Sequence, residues 1–249
     1  MRRTPRVFLA AACALLLASS VHAQQGINLS WSDCGTFGQD VESFACNTNS
    51  GFHTLVASFV SPAPLTLSEL ESQIDIQIDD TTLPPWWNLT AGTGCRTNNL
   101  AGSADFLAGP FNCVDLWEGQ ASGGIDYTAG FVAPNRARIR IVFAVPPPNY
   151  IPIDDASQYY AYKVVIRNGK TTGTGSCAGC GTPGCIVLDY IRLDQPPGVG
   201  DYVLEQPLER SNVGWQCPSY PATEGLLCFT SCPVPAHKPS WGGIKSLYR

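Results

Sequence analysis

The sequence predicts an all-β fold: one antiparallel β-sandwich of jelly-roll type, stapled by disulfides and followed by a short C-terminal tail. Three observations predict it. Short runs of β-branched and aromatic residues recur along the chain, some with strict two-residue alternation. The 24 glycines and 20 prolines fall between these runs and punctuate them as turns. Ten cysteines follow the N-terminal leader, an even number that reads as a disulfide framework in an oxidising compartment.

The leader occupies residues 1–23. Arg2, Arg3 and Arg6 precede an apolar run over 7–18, and Val21-His22-Ala23 offers small or tolerated residues before Gln24. That is the layout of a cleavable export signal. The apolar run falls short of the roughly 20 residues a membrane span needs, and no second stretch is long enough, so the mature chain is expected to lack a transmembrane segment. Cleavage takes the basic residues from 15 to 12 against 20 acids, and the net charge from −5 to −8. So acidic a chain is a poor partner for phosphates, which argues against nucleic acid and anionic membranes. The remaining 226 residues suffice for one core, and the expected division is a single domain over 24–232 with a linker and tail over 233–249.

The strands follow from side-chain period. Residues 53–61 (HTLVASFVS) form one apolar run. In 73–79 (QIDIQID), Ile74, Ile76 and Ile78 face one way and Asp75, Gln77 and Asp79 the other. A period of two means one buried and one wet face. Residues 136–145 repeat this, with Ala137, Ile139 and Ile141 inward and Arg136, Arg138 and Arg140 outward, until Pro146–Pro148 stops the run. Residues 158–167 and 185–193 are two further strands, and the glycine-rich 168–184 stretch between them suggests a long-looped hairpin. Ser68-x-x-Glu71 has the form of a helix capping box, but the isoleucine alternation behind it argues for strand.

Cys34 and Cys46 flank one short loop, and Cys95 and Cys113 another. Two triplets remain: Cys177, Cys180, Cys185 and Cys217, Cys228, Cys232. With all ten oxidised, parity sends at least one bond out of each triplet, and the economical solution joins the two. Cys177-Ala178-Gly179-Cys180 admits other chemistry. Its thiolates could share a zinc ion with Cys228 and Cys232, or form a redox pair. A redox pair normally sits at a helix start, whereas glycines and a strand surround this one. Structural disulfides fit best, with no metal and no cofactor.

Catalytic residues do not emerge. Thr174 stands where a nucleophile elbow around Ser176 needs glycine. His53 opens a strand and His237 lies in the proline-containing linker, so neither suggests a base held beside a nucleophile. Asp75 and Asp79 share a strand face, but at about 3.4 Å per residue their backbones stand some 13–14 Å apart, too far for a retaining glycosidase pair. The acid pairs Asp79-Asp80 and Asp154-Asp155 lack the spacing of a calcium loop. Asn28-Leu29-Ser30 and Asn88-Leu89-Thr90 are glycosylation sequons. The best binding candidates are Trp86 and Trp87, behind Pro84-Pro85. An indole face matches the apolar face of a sugar, although aromatic residues more often serve a core. At the other end, Trp241, Ile244, Leu247 and Tyr248 would cluster on one side of a short helix, which makes the terminal nonapeptide WGGIKSLYR a candidate docking element.

Several motifs together carry a resemblance. Leu83-Pro84-Pro85-Trp86-Trp87, Gly119-Gln120-Ala121-Ser122-Gly123-Gly124, Pro134-Asn135-Arg136-Ala137-Arg138, Cys177-Ala178-Gly179-Cys180 followed by Cys185-Ile186-Val187-Leu188, and the terminal nonapeptide resemble segments of exported bacterial proteins with no assigned activity. The resemblance covers most of the mature chain. It implies a bacterial exported protein and marks no catalytic residue. The leading expectation is a secreted, non-catalytic structural or ligand-binding module of the periplasm, cell surface or extracellular space, with a glycan or cell-surface component as candidate partner. The alternative is a secreted carbohydrate-active enzyme whose carboxylates the sequence does not single out.

Overall fold

The computed structural model describes residues 25–32, 34, 38–106, 113 and 115–217. Thirteen strands are formed among them: β1 (Gly26–Trp31), β2 (Val41–Glu42), β3 (Phe52–Val60), β4 (Leu65–Leu67), β5 (Glu69–Ile78), β6 (Leu100–Ser103), β7 (Ser122–Ala129), β8 (Arg136–Ala144), β9 (Ile151–Ile153), β10 (Gln158–Arg167), β11 (Gly184–Asp194), β12 (Tyr202–Leu204) and β13 (Asn212–Trp215). The only helical element among the described residues is a single 3₁₀ turn, Pro85–Trp87. Ser68 caps no helix; its hydroxyl donates to the Asp194 carbonyl, and β5 starts at the next residue.

Two sheets make a jelly-roll-like sandwich. One has the order β1-β3-β10-β6. The other runs β2-β13-β11-β5-β8-β7, with β12 also paired to β11. β4 and β9 form a small separate ladder. Among the described residues all strand pairings are antiparallel except β2 with β13. The chain passes repeatedly from one sheet to the other, so most neighbours within a sheet are distant in sequence. The alternation read from residues 73–79 and 136–145 explains the central pair. Ile74, Ile76, Ile139 and Ile141 are fully buried between the sheets, and Asp75 stands beside Arg138 on the opposite face. Polar links cross the core as well: the Tyr162 and Ser72 hydroxyls lie 2.7 Å apart, Ser72 donates to the Tyr190 carbonyl, and the Trp31 indole N–H donates to the Gly214 carbonyl.

The expected hairpin of residues 158–167 and 185–193 does not form. β10 lies between β3 and β6, and β11 lies in the other sheet between β13 and β5. Side-chain alternation assigns a strand its buried face but not its sheet. The intervening loop instead closes one end of the sandwich, and its cysteines bond away from it. Cys177 joins Cys95 and Cys180 joins Cys46.

Candidate functional site

Trp86 and Trp87 are at that closed end, and the sugar-stacking expectation is corrected there: both rings are 0% exposed. Pro84 and Pro85 set an extended entry and the first residue of the 3₁₀ turn, which drives both indoles inward. Trp86 stacks on Trp215 at 5.0 Å, and Trp87 meets Trp215 edge-on at 5.6 Å. The Trp86 indole N–H donates to Thr171 Oγ1, and its backbone N–H donates to the Ala178 carbonyl. Neither ring has a face left for a ligand.

Arg96 completes the plug. It is fully buried, with its guanidinium carbon 3.5 Å from the Trp86 ring centre. It donates to the backbone carbonyls of Trp86, Gly169 and Arg167. Burial pulls its pKa down to about 9, opposed only by the nearby Tyr127 phenol. Nothing in the Gly94-Cys95-Arg96-Thr97 stretch distinguishes this residue from a surface arginine in a loop. The Cys177-x-x-Cys180 motif serves the same closure. Gly179 has φ +100°, and a Cβ there would come within 2.2 Å of Pro84 Cβ, so the motif's glycine is where the 168–183 loop presses on the tryptophan turn. With its two sulfurs bonded to Cys46 and Cys95, the motif is neither a redox pair nor a zinc knuckle. Cys34 joins Cys113, and Cys185 and Cys217 are also disulfide-bonded. Cys228, Cys232 and the tail residues Trp241, Ile244, Leu247 and Tyr248 lie outside the described residues.

The outer faces of the two sheets differ. On the four-stranded sheet the outward residues Asn28, Ser30, Thr54, Val56, Ser58 and Lys163 are all less than 7% exposed. Phe106 and Cys113 pack on Val56 to form a second small core, with Cys34 and Tyr160 beside it. The Tyr160 phenol donates to the Cys34 carbonyl. The Cys34–Cys113 bond pins this cover down. Burial also removes Asn28 as a glycosylation site; its carboxamide oxygen accepts the Arg210 N–H.

The seven-stranded sheet is closed over Cys185 and Val187, both buried although they point outward. Across β5, β8, β7 and the second half of β11 it is accessible. There Asp126, Thr128, Arg140 and Val142 are exposed, and Glu71, Gln73, Asp75, Arg138, Asp189 and Tyr190 are half-buried. The side chains brace one another across strands. Arg138 grips Asp75 through Nε and Nη2 at 2.6 and 2.7 Å, and its guanidinium lies 3.7 Å from the Phe131 ring centre. Arg136 Nε donates to Gln77 Oε1. The Tyr190 phenol donates to Glu71, which also pairs with Arg192 at 2.8 Å. Burial works against the Arg138 charge, but the hydrogen bond and charge of Asp75, with Asp189 behind it, outweigh it and raise the pKa.

Asp189 is the member sequence reasoning missed. Between Leu188 and Tyr190 the β11 ladder slips by one residue, leaving Asp189 without a partner in β5. This bulge places both Asp189 and Tyr190 on the outer face. Gln73 Nε2 donates to Asp189 Oδ2 at 2.5 Å, and Arg138 Nη2 lies 4.0 Å from the same oxygen. Burial first, with the negative charge of nearby Asp75, pushes Asp189 up to about 7 against the opposing pull of Gln73 and Arg138. A signal was present: the buried residues Ile186, Leu188, Ile191 and Leu193 are spaced two, three and two apart, and the three marks the slip.

The other candidates have structural partners. His53 Nδ1 is 3.0 Å from Glu42, and its ring packs against Phe44 and Trp215. Asp80 caps the Thr81 N–H, and Asp154 accepts the N–H groups of Ala156 and Ser157, which holds it below the usual carboxylate range. Among the described residues no three His, Cys, Asp or Glu side chains converge as a metal site, and no helix is long and apolar enough to cross a membrane. A shallow cleft of about 220 Å³ opens between Glu118, Gln120, Asn149 and Tyr150.

No family model and no curated protein matches the chain. Among solved structures, the second type II cohesin module of the cellulosomal adaptor ScaA scaffoldin of Acetivibrio cellulolyticus aligns over 76% of this chain and 95% of its own, at 10% identity and a TM-score of 0.29. At that score the alignment carries no functional argument, and the sandwich assignment rests on strand order and register.

Proposed function

We propose that the protein is an exported, non-catalytic ligand-binding module that holds a glycan of the cell envelope or extracellular space against the outer face of its seven-stranded sheet. One observation carries the reading. Outward side chains on the four-stranded sheet are buried, with a disulfide-pinned cluster packed on Val56, while those on β5, β7 and β8 are left accessible and those of β5 and β8 are already braced. Side chains fixed before contact lose little freedom on binding. Strands about 4.8 Å apart present guanidinium, carboxamide, carboxylate and phenol groups at sugar-like spacing. Both donors and acceptors are available for hydroxyl groups, and Val142 and the Tyr190 ring add apolar contact. Export is supported by the leader sequence and by the disulfides, which persist in oxidising surroundings.

Hydrolysis is the weaker reading for this face. A glycosidase needs its two carboxyl groups about 5–10 Å apart, across the sugar. Asp75 is held through both oxygens by Arg138, whose Nη2 also lies 4.0 Å from Asp189, so a guanidinium and not an open gap accompanies the two carboxyls. The test is a glycan array with the secreted chain and with an Arg140→Ala/Tyr190→Ala double variant. Loss of at least about tenfold in binding, with an unchanged melting temperature, is the expected result. Full retention of binding in the variant, or no glycan bound by the wild type, would remove the proposal.

A further inference from the structure

The seven-stranded sheet ends on one side at β7, and hydrogen-bond parity fixes which of its backbone groups point outward. On β8's other flank the Ile78 N–H donates to the Asn135 carbonyl and the Val145 N–H donates to Ser68, so the odd-numbered residues bond toward β5. The even-numbered residues of β8 therefore bond toward β7, and the Gly130 N–H, donating to the Arg136 carbonyl at 2.7 Å, begins that ladder. This leaves the N–H and C=O groups of Gly123, Ile125, Tyr127 and Ala129 turned away from β8. Among the described residues they meet no other backbone. Gly123 and Gly124 are exposed, and a glycine's exposure is that of its backbone.

A bare edge is a template for another strand, and proteins blunt such edges by shortness, cover, proline, charge or bulges. The other edges of the two sheets are blunted. β2, β6 and β12 have two, four and three residues. β1 is covered: Ile27 and Leu29 donate to the carbonyls of Gln206 and Arg210, and Leu208 donates to Ile27. β7 has eight residues, no proline, a single charge at Asp126 and an unbroken register with β8. We propose that a second copy of this chain covers that edge, β7 against β7, antiparallel about a two-fold axis at Ile125. The strand is self-complementary in this register and not in the neighbouring one. Centring on Asp126 would set two carboxylates directly opposite each other, which is destabilising. Centring on Ile125 sets Asp126 opposite Gly124 of the second copy and Ser122 opposite Thr128, which can hydrogen-bond across the seam. Gly123, Ile125 and Tyr127 then exchange their free N–H and C=O groups with the second copy, and the half-buried Ile125 meets its own twin on the inner side. Such an interface closes on itself, as a two-fold dimer requires. The pairing does not rest on the glycan reading; it joins the two outer faces on one side of a continuous sheet.

The experiment combines sedimentation velocity with amide hydrogen exchange on the full secreted chain, from about 1 μM to about 1 mM. The expected result is a concentration-dependent dimer in which the Ile125 and Tyr127 amides exchange at least about tenfold more slowly than in the monomer. Position 124 reads the register. A Cβ there meets nothing within 4 Å, so substitutions leave the monomer and its melting temperature unchanged. Gly124→Asp faces each Asp126 with a like charge and should weaken the dimer about fivefold or more. Gly124→Lys faces each Asp126 with an opposite charge and should strengthen it about threefold at low salt, an effect that high salt removes. A chain that stays monomeric up to about 1 mM overturns the proposal. So does a dimer in which the Ile125 and Tyr127 amides exchange as they do in the monomer. Equal weakening by Gly124→Lys and Gly124→Asp also overturns it, because position 124 would then not face Asp126.

Discussion

The closed end of the sandwich and its accessible face each hold an arginine, and the two are accommodated in opposite ways. Arg96 is buried with its charge met by three backbone carbonyls and an indole ring, and its pKa falls to about 9. Arg138 is met by carboxylates, and its pKa rises. The carbonyls at the closed end belong to the tryptophan turn, the last residue of β10 and the loop that follows it, so Arg96 ties that turn to the end of a sheet strand. Groups around Arg138 project from strands that are already paired, so they can change partners or protonation without moving the fold. Immobile charge belongs to architecture, and adjustable charge to a contact surface.

Breaking the closed end should have the largest effect. Trp86→Ala leaves a cavity beneath Arg96 and removes its ring partner, and is expected to cost about 3–5 kcal/mol in denaturant unfolding. Arg96→Met should cost about 2–4 kcal/mol by orphaning buried carbonyls. A cost below about 1 kcal/mol for either would mean the plug is not a structural unit. The Cys46→Ala/Cys180→Ala pair comes next. It removes a crosslink spanning 134 residues, and about 2–4 kcal/mol should be lost. Non-reducing peptide mapping of the same material is expected to link Cys185 to the Cys217, Cys228, Cys232 cluster, with no free thiol in the mature chain.

At the accessible face the expected effects are smaller and depend on pH. The folded pKa of Asp189 lies above that of the unfolded chain. Its contribution to stability is therefore complete below about pH 4 and is lost as pH rises through 7. Asp189→Asn should leave stability unchanged at pH 4 and raise it at pH 8. The gain should be on the order of 1–2 kcal/mol after discounting for solvent screening. Urea unfolding at the two pH values checks the sign, and a variant that loses stability at pH 8 would contradict it. Smallest of all, Arg140→Ala should stay within about 0.5 kcal/mol of the wild type, so any change in ligand binding reports on contact and not on folding.

What the sequence made legible follows the same division. The alternation of Ile74, Ile76 and Ile78 with Asp75 and Gln77 identified both the core and the outer face, because a paired strand has one period and two sides. The identity of the covering sheet was not legible, which is why residues 158–167 and 185–193 read as a hairpin. Trp86 and Trp87 were legible as important but not as buried. Two prolines fix the entry of their turn, whereas the direction the rings face depends on Thr171, Ala178 and Trp215, more than 80 residues away. Arg96 left no mark, since a buried arginine held by carbonyls needs no acidic partner in the sequence. Asp189 left the mark of an irregular spacing, but its partner Asp75 lies 114 residues upstream and is brought near only by the register of β5 with β11.

The central claim is that the accessible face of the seven-stranded sheet is where ligand is held. The most direct measurement is amide chemical-shift mapping of the isotopically labelled chain during titration with soluble envelope oligosaccharides. The account predicts shifts confined to β5, β8 and the second half of β11, centred on Gln73, Arg140 and Tyr190. Shifts gathered instead around Glu118, Gln120, Asn149 and Tyr150, with the sheet face silent, would place the ligand in the shallow cleft and contradict it.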